Sequence, residues 1–470
     1  MKRRNTFVAI LFLGMALALG GCGQTAMAGS DNKTAQVTEN ETQAAAQDGS
    51  TVSATSEVYL SDSGSSAGSE TLLDTDGMFS DRDMKQEADL TDASYITLQS
   101  GQDVTISVEG VYVISGEAQD STIIVDADKA KVQLVLDGVT VVNSDAPAIY
   151  VKNADKVFVT TTDSENTLAV TGTFTADGDT NTDAVIYSKD DLVFNGKGTL
   201  DITSTANGIS GKDDVKFTGG TYSITCNEDA IEANDSIRVC DGSFTIRSGK
   251  DALHSEDSDD TSKGFIYISG GSFDIDADGD GIQATTVLTI DGGTFNINAS
   301  EGLEATYVQI NDGTISIEAG DDGINASQKS NDVDVAIEIN GGSLTINMAS
   351  GDTDALDANG DLYINGGTVN ITAQFAFDFD GKAELNGGTV TVNGEEVTEI
   401  TNSMTFGGQG GFGGGNRPEM PEGFEEGDRP EMPEGFDKSN MPERPEGAGE
   451  GRSGRQMRGD RGSKQDNGGN

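Results

Sequence analysis

Asp280-Gly-Ile-Gln-Ala-Thr-Thr-Val-Leu-Thr-Ile-Asp-Gly-Gly-Thr-Phe-Asn-Ile-Asn-Ala-Ser300 is the stretch that decides the fold. It holds a short run at Gly281 to Gln283, a second from Leu288 to Gly293 that ends in a Gly pair, and a third from Thr294 to Ala299. Apolar and polar residues alternate with the period of a strand, and no helical period persists. The opening position recurs at Asp183, Asn207, Asp229, Asp251, Asp280, Glu301, Asp322, Asp354 and, in degenerate form, Phe375. Most spacings are about 21 to 24 residues, and two longer ones hold surface insertions after His254 and Ala326. Repeats this short, with three strands each and Gly at the corners, predict an all-β solenoid: a right-handed parallel β-helix from about 148 to 393 with coils of about 21 to 23 residues. Ile282, Leu288, Ile290, Phe295 and Ile297 then point inward, and their equivalents stack from coil to coil. Less regular strands at Val111 to Ser115, Ile123 to Asp126, Val132 to Leu136 and Val157 to Thr161 extend the domain to 91–395 as N-terminal coils and cap.

Both flanks differ from this body. Lys2, Arg3 and Arg4 precede an apolar run, Phe7 to Leu19, that is too short to span a bilayer. Leu19-Gly20-Gly21-Cys22 resembles the bacterial lipobox, which implies a signal peptide over 1–22, lipidation of Cys22 and a mature protein anchored to the outer face of the cell membrane. Residues 23–90 are rich in Ser, Thr, Ala, Gln and Asp and read as a flexible linker. From 407 to 470 the chain is Gly-, Pro- and Glu-rich, repeats Arg417-Pro-Glu-Met-Pro-Glu-Gly-Phe424 at Arg429 to Phe436, and ends in spaced bases; it reads as a disordered tail.

The formal net charge of −51, from 80 acids and 29 bases, excludes nucleic acid as a partner, because a polyphosphate needs bases to displace its counterions. From Asn227 to Asp357 there are 27 Asp/Glu against five Lys/Arg, so the body is either heavily solvated or carries cations. Cys226 is expected to point inward and Cys240 outward, which argues against a disulfide. A monomer is expected.

Stacking turns each repeated residue into a column with a rise of ~4.8 Å. The coil-start column is acidic: Asp183, Asp229, Asp251, Asp280, Glu301, Asp322 and Asp354, with second carboxylates just before at Glu228, Asp278, Asp321 and Asp352. Three residues after each start lies an outward column of Glu232, His254, Gln283, Glu304, Asn325, Asp357 and Asp378. Bare carboxylates at this spacing repel, and Ca²⁺, with oxygen ligands at ~2.3–2.6 Å, fits between them. Zn²⁺ prefers His and Cys, and there is one His. The plainer alternative is that these acids are solvated turn-formers. Asp291, Asn311, Asn340, Asn365 and Asn386 form another column, read as structural. Lys216, Arg238 and Tyr267 fall on successive coils of the second strand and, with His254 and Gln283, are candidates for contact with a sugar ligand.

Gly110-Val-Tyr-Val-Ile-Ser-Gly116, Val132-Gln-Leu-Val-Leu-Asp-Gly-Val-Thr140, Ala146-Pro-Ala-Ile149 and Glu165-Asn-Thr-Leu168, with the Gly-Gly-[Thr/Ser] coils, resemble the clostridial carbohydrate-binding β-helix proteins over roughly 90 to 395. That resemblance implies a pectate-lyase-like right-handed β-helix with bound Ca²⁺, which binds cell-wall polysaccharides of the cellulose or polygalacturonate type without catalysis. The column departs from the ideal at Asn207 and Phe375. The reading is thus a Ca²⁺-loaded, non-catalytic carbohydrate-binding surface lipoprotein. The alternatives are a polysaccharide lyase acting by β-elimination, with Lys250 or Lys212 as the nearest candidate base, and a structural adhesin or spacer.

Overall fold

The computed structural model describes residues 72–403, apart from Ser258 and Asp352. The expected signal peptide, Cys22, the expected linker up to 71 and the repetitive sequence from 404 therefore lie outside the described residues, as does Asp352 among the candidate ligands.

The described residues contain strands and turns and no helix. In the deciding coil the three strands are Ile282–Ala284, Val287–Ile290 and Thr294–Ala299. Each pairs in parallel with its counterpart one coil on: Ile282 with Leu303, Leu288 with Val308, Phe295 with Ile315. First strands stack into a 12-stranded sheet that runs from Val104–Ile106 to Phe375–Phe379. Second and third strands form two further ladders, joined where one strand rounds the corner unbroken, as in Asp214–Cys226 and Ser236–Ser248. The architecture is the expected parallel β-helix.

Strand periodicity builds the core. Ile282, Leu288, Ile290, Phe295 and Ile297 are all buried, and one apolar column runs the length of the domain. Phe244, Phe273 and Phe295 stack face to face at centroid spacings of 4.7 Å, with interplanar angles of 3° and 0°. The rings follow the inter-strand repeat, which parallel pairing in register enforces. Each Gly pair serves two needs. A Cβ on Gly366 would sit 2.3 Å from the Asn340 carbonyl oxygen, whereas Gly367 has φ +81°, a region that side chains resist. Beside these corners the amide column works as expected: Asn311, Asn340, Asn365 and Asn386 each donate Nδ2 to the Oδ1 of the residue one coil back, Asp291, Asn311, Asn340 and Asn365, at 2.7, 2.8, 2.8 and 2.8 Å. Cys226 is buried and Cys240 partly exposed, both as free thiols.

The C-terminal end is closed against edge pairing. Thr389–Val392 turns back on Glu395–Val397 as an antiparallel pair. Ser403 Oγ accepts the N–H groups of Ala376 and Phe377, and Asn402 Nδ2 donates to Asp378 Oδ1 and to the Phe379 carbonyl.

Residues 72–90, read from sequence as linker, are instead packed on the outer face of the second sheet. Leu73 and Met78 are buried with Phe265, Tyr267, Val287 and Val333. The Arg82 guanidinium lies 4.4 Å from the Phe158 ring centroid. Thr218 Oγ1 and Asn195 Nδ2 donate to the Asp83 carbonyl, and Gln86 both donates to the Thr218 carbonyl and accepts from the Gly196 N–H. The physical cause is on the body: Phe265 and Val287 face outward and need cover, and this strap supplies it.

Candidate functional site

The outer face of the first sheet carries both acidic columns. At the coil starts, one carboxylate oxygen holds the stack together. The Asp251 N–H donates to Asp229 Oδ1 at 3.0 Å, Asp280 N–H to Asp251 Oδ1 at 2.7 Å, and Asp354 N–H to Asp322 Oδ1 at 3.2 Å. Asn207 serves in the same way, its Oδ1 accepting the Asp229 N–H at 3.0 Å, so an amide replaces an acid there without loss. These side chains are therefore turn-formers with one oxygen. The second oxygen of Asp229, Asp251 and Asp280 faces the neighbouring column.

That neighbouring column is continuous. Glu232 pairs with His254, His254 with Gln283, Gln283 with Glu304, Glu304 with Asn325, Asn325 with Asp357, and Asp357 with Asp378. Its upper coils are neutralised by the protein itself. Glu232 accepts from Asn207 Nδ2, Ser210 Oγ and Lys212 Nζ at 3.1, 2.8 and 3.3 Å. His254 stands among Asp229, Asp251 and Glu256 at 3.6, 3.6 and 3.2 Å. Burial opposes its charge, but the Asp229 and Asp251 carboxylates beside it raise its pKa to about 9, so it is an imidazolium filling the place of a cation. Asp229 is held below the usual carboxylate range by His254, against the effect of burial.

Lower down, Asp280, Glu301 and Glu304 bring carboxylate oxygens within 4.8 Å of one another. Gln283 Nε2 bridges Asp280 Oδ2 and Glu304 Oε2 at 2.7 and 2.6 Å, and Asn325 Nδ2 donates to Glu301 Oε2 at 3.0 Å. Burial first, and neighbouring carboxylates second, push Asp280 up to about 7 and Glu301 up to about 8. Asp322 is pushed up to about 7, by burial and by Asp357, Asp321 and Asp354 against the Asp354 N–H; Asp357 rises to about 6, by burial and Asp378. Burial also raises Asp251 and Asp183. Such shifts mark crowded negative charge with too little compensation. Asn325 Oδ1 is a buried acceptor without a hydrogen-bond partner, next to Glu301 and in register with Glu304 and Asp357. An all-oxygen donor set with an orphaned carbonyl fits a hard cation such as Ca²⁺.

The remaining candidates separate by environment. Asp278 and Asp321 are exposed. Glu228 is tied to Lys250 Nζ at 2.9 Å, and Asp183 accepts from Asn181. Lys250 is shifted up by this bond, and Lys212 is paired to Glu232, so neither of these bases is poised for proton abstraction.

Lys216, Arg238 and Tyr267 are not available to a ligand. They are 4%, 4% and 6% exposed. Arg238 and Lys216 pair with Asp214 at 3.0 and 3.5 Å, and Tyr267 packs with Phe79, Leu73 and Met78 of the strap. Sequence alternation turned them outward, but Tyr267 lies under the chain's own N-terminal segment, and Lys216 and Arg238 are drawn into ion pairs with Asp214, Arg238 also lying 5.0 Å from the Phe265 ring centroid. Sequence reasoning also missed Lys329, whose Nζ lies 2.8 Å from Glu304 Oε2. Its only signal was its place in the insertion after Ala326.

Comparison with known proteins bears on the family. The sequence matches the family described as carbohydrate-binding domain-containing protein over residues 100–350 and 301–405. A carbohydrate-binding domain-containing protein of Acetivibrio thermocellus is 36% identical over 126 residues, which is 26% of this chain and 44% of that protein, so the chain spans under half the length of this curated relative. A solved structure of a polysaccharide lyase-like protein from C. thermocellum, a gadolinium derivative, is 25% identical and covers 56% of this chain and 99% of its own, with a TM-score of 0.41.

Proposed function

We propose, from the premise that this chain belongs to the carbohydrate-binding domain-containing protein family, that it is a non-catalytic, Ca²⁺-loaded binder of acidic cell-wall polysaccharide, held at the cell surface by a lipid on Cys22. The observation that carries this reading is the crowded set Asp280, Glu301, Glu304 and Asn325, with the raised pKa values of Asp280 and Glu301 and the orphaned amide oxygen of Asn325. Asp280, Glu301 and Glu304 would supply charged oxygens and Asn325 a neutral one, with Asp322 and Asp357 as the corresponding donors further along. Bound Ca²⁺ supplies positive charge on a face that otherwise repels a polyuronate. Gln283 orients Asp280 and Glu304 from between them, and His254 neutralises the coils above. An extended polymer along the helix axis would meet this column over several coils. The paired state of Lys212 and Lys250 favours binding over β-elimination.

The test is binding of the mature protein to polygalacturonate, with Ca²⁺ and with chelator. Retention with Ca²⁺, loss with chelator and no ultraviolet-absorbing unsaturated product are expected. Equal retention in chelator refutes the role of the cation, and accumulation of unsaturated product refutes the non-catalytic assignment.

A further inference from the structure

We propose that Lys329 is a tethered cation that holds Glu304 until a divalent ion displaces it, so that the crossover between Ala326 and Ala336 responds to occupancy of the acidic column. The inference rests on the Ca²⁺ reading above. Lys329 belongs to one of the two long insertions, and the insertion is built to aim it. The N–H groups of Lys329 and Ser330 both donate to Thr306 Oγ1, at 3.0 and 2.9 Å, and Ser330 Oγ donates to the Thr261 carbonyl at 2.7 Å. Thr306 is itself fixed by donation to the Thr285 carbonyl at 2.7 Å. From this base the Lys329 ammonium reaches Glu304 Oε2 at 2.8 Å, while Ser327 Oγ donates to Glu304 Oε1 at 3.0 Å.

Glu304 is thus shared. It is one of the three carboxylates within 4.8 Å of one another, and it is also the anchor of the insertion. An ammonium and a divalent ion compete for the same oxygen, and the amine is the weaker ligand because it carries half the charge. Lys329 has a route out: its side chain is 29% exposed, whereas that of Glu304 is 8% exposed. Capture of Glu304 by an ion changes more than one side chain, because its Oε1 also accepts from Ser327 Oγ at the start of the same insertion. A protein form that binds the ion only with Lys329 withdrawn has its apparent Kd raised by the ratio of the closed to the open form.

The experiment is calorimetric titration of the mature chain with Ca²⁺ for wild type, Lys329→Ala and Lys329→Arg, with amide hydrogen exchange over 327–335. Lys329→Ala should bind about tenfold more tightly, Lys329→Arg should stay near wild type, and exchange in the wild-type insertion should rise on Ca²⁺ addition. Both main-chain bonds to Thr306 survive Lys329→Ala, so the fold is retained. Equal or weaker binding by Lys329→Ala while wild type binds overturns the role of Lys329 alone. Absence of binding by all three proteins overturns the Ca²⁺ reading and this inference with it.

Discussion

Glu301→Gln should change stability in opposite directions with and without Ca²⁺. In the metal-free protein the Glu301 carboxyl is pushed from its ordinary 4.5 up to about 8, by burial first and then by Glu304 and Asp280. A folded-state pKa above the unfolded one means that the protonated group stabilises the fold, fully below pH 4.5, and that this stability is lost as pH rises through 8. At about 1.4 kcal/mol per pH unit the ionised group would cost about 5 kcal/mol; partial exposure and movement of the neighbouring carboxylates reduce this to about 2 kcal/mol. An amide removes the charge, keeps an oxygen for the 3.0 Å bond from Asn325 Nδ2, and has the same shape. In chelator at pH 8 the variant should therefore melt higher than wild type, by about 3 °C for a body of roughly 330 residues. With saturating Ca²⁺ the order should reverse, because wild type gains binding free energy that the variant lacks. The assay is a melting curve by circular dichroism at pH 5 and pH 8, each with Ca²⁺ and with chelator. At pH 5 in chelator the two proteins should nearly coincide. A variant that melts lower than wild type in every condition would refute the reasoning and make Glu301 an ordinary structural hydrogen-bond acceptor.

Other outcomes follow from single residues. His254→Gln removes the resident cation between Asp229 and Asp251; its stabilisation is full below pH 6.5 and fades as pH rises through about 9, so the melting deficit should be largest near pH 6 and vanish by pH 10. Gly367→Ala meets both a φ of +81° and a Gly341 carbonyl oxygen 2.7 Å from the new Cβ, and should cost about 2–4 kcal/mol in denaturant titration. Met84→Cys places a thiol one bond short of Met84 Sδ, which lies 3.5 Å from Cys240 Sγ, and mild oxidation should join strap to body, seen as a faster-migrating band on non-reducing gels.

The coil was legible because its determinants are local and repeated. Alternation at Phe295 to Ile297, Gly pairs such as Gly366-Gly367 and the amide column from Asn311 to Asn386 all act through the neighbouring coil, so one unit predicts the next. The acidic columns were legible for the same reason, as positions. Their partners were not. Whether Glu232 is saturated depends on Lys212 and Asn207 one coil back, and whether Glu304 is screened depends on Lys329 in an aperiodic insertion. The strap was the larger loss. Leu72, Leu73, Met78 and Phe79 have no period, and only the outward Phe265 and Val287, which break the alternation, betray that a cover is required. With that cover in place Tyr267 passes from surface to interior, while Lys216 and Arg238 are buried through their pairing with Asp214.

The strap also sets how the body takes load. It runs back along the flank from Leu73, beside Val287 and Val333, to Glu87, which is bonded to Lys197. Leu72, the departure point for the sequence before it, therefore lies on the flank of the solenoid, several coils from its N-terminal end. A pull through that departure point acts across the rod and reaches the strap's contacts one after another, beginning with the apolar plug at Leu73 and Met78 and ending with the hydrogen bonds of Asp83 and Gln86. Contacts loaded one at a time should yield before ladders that share the load. Were the chain anchored through Cys22 as proposed, the strap would act as a mechanical fuse, letting out the span from 72 to about 90 before any coil of the first sheet is disturbed.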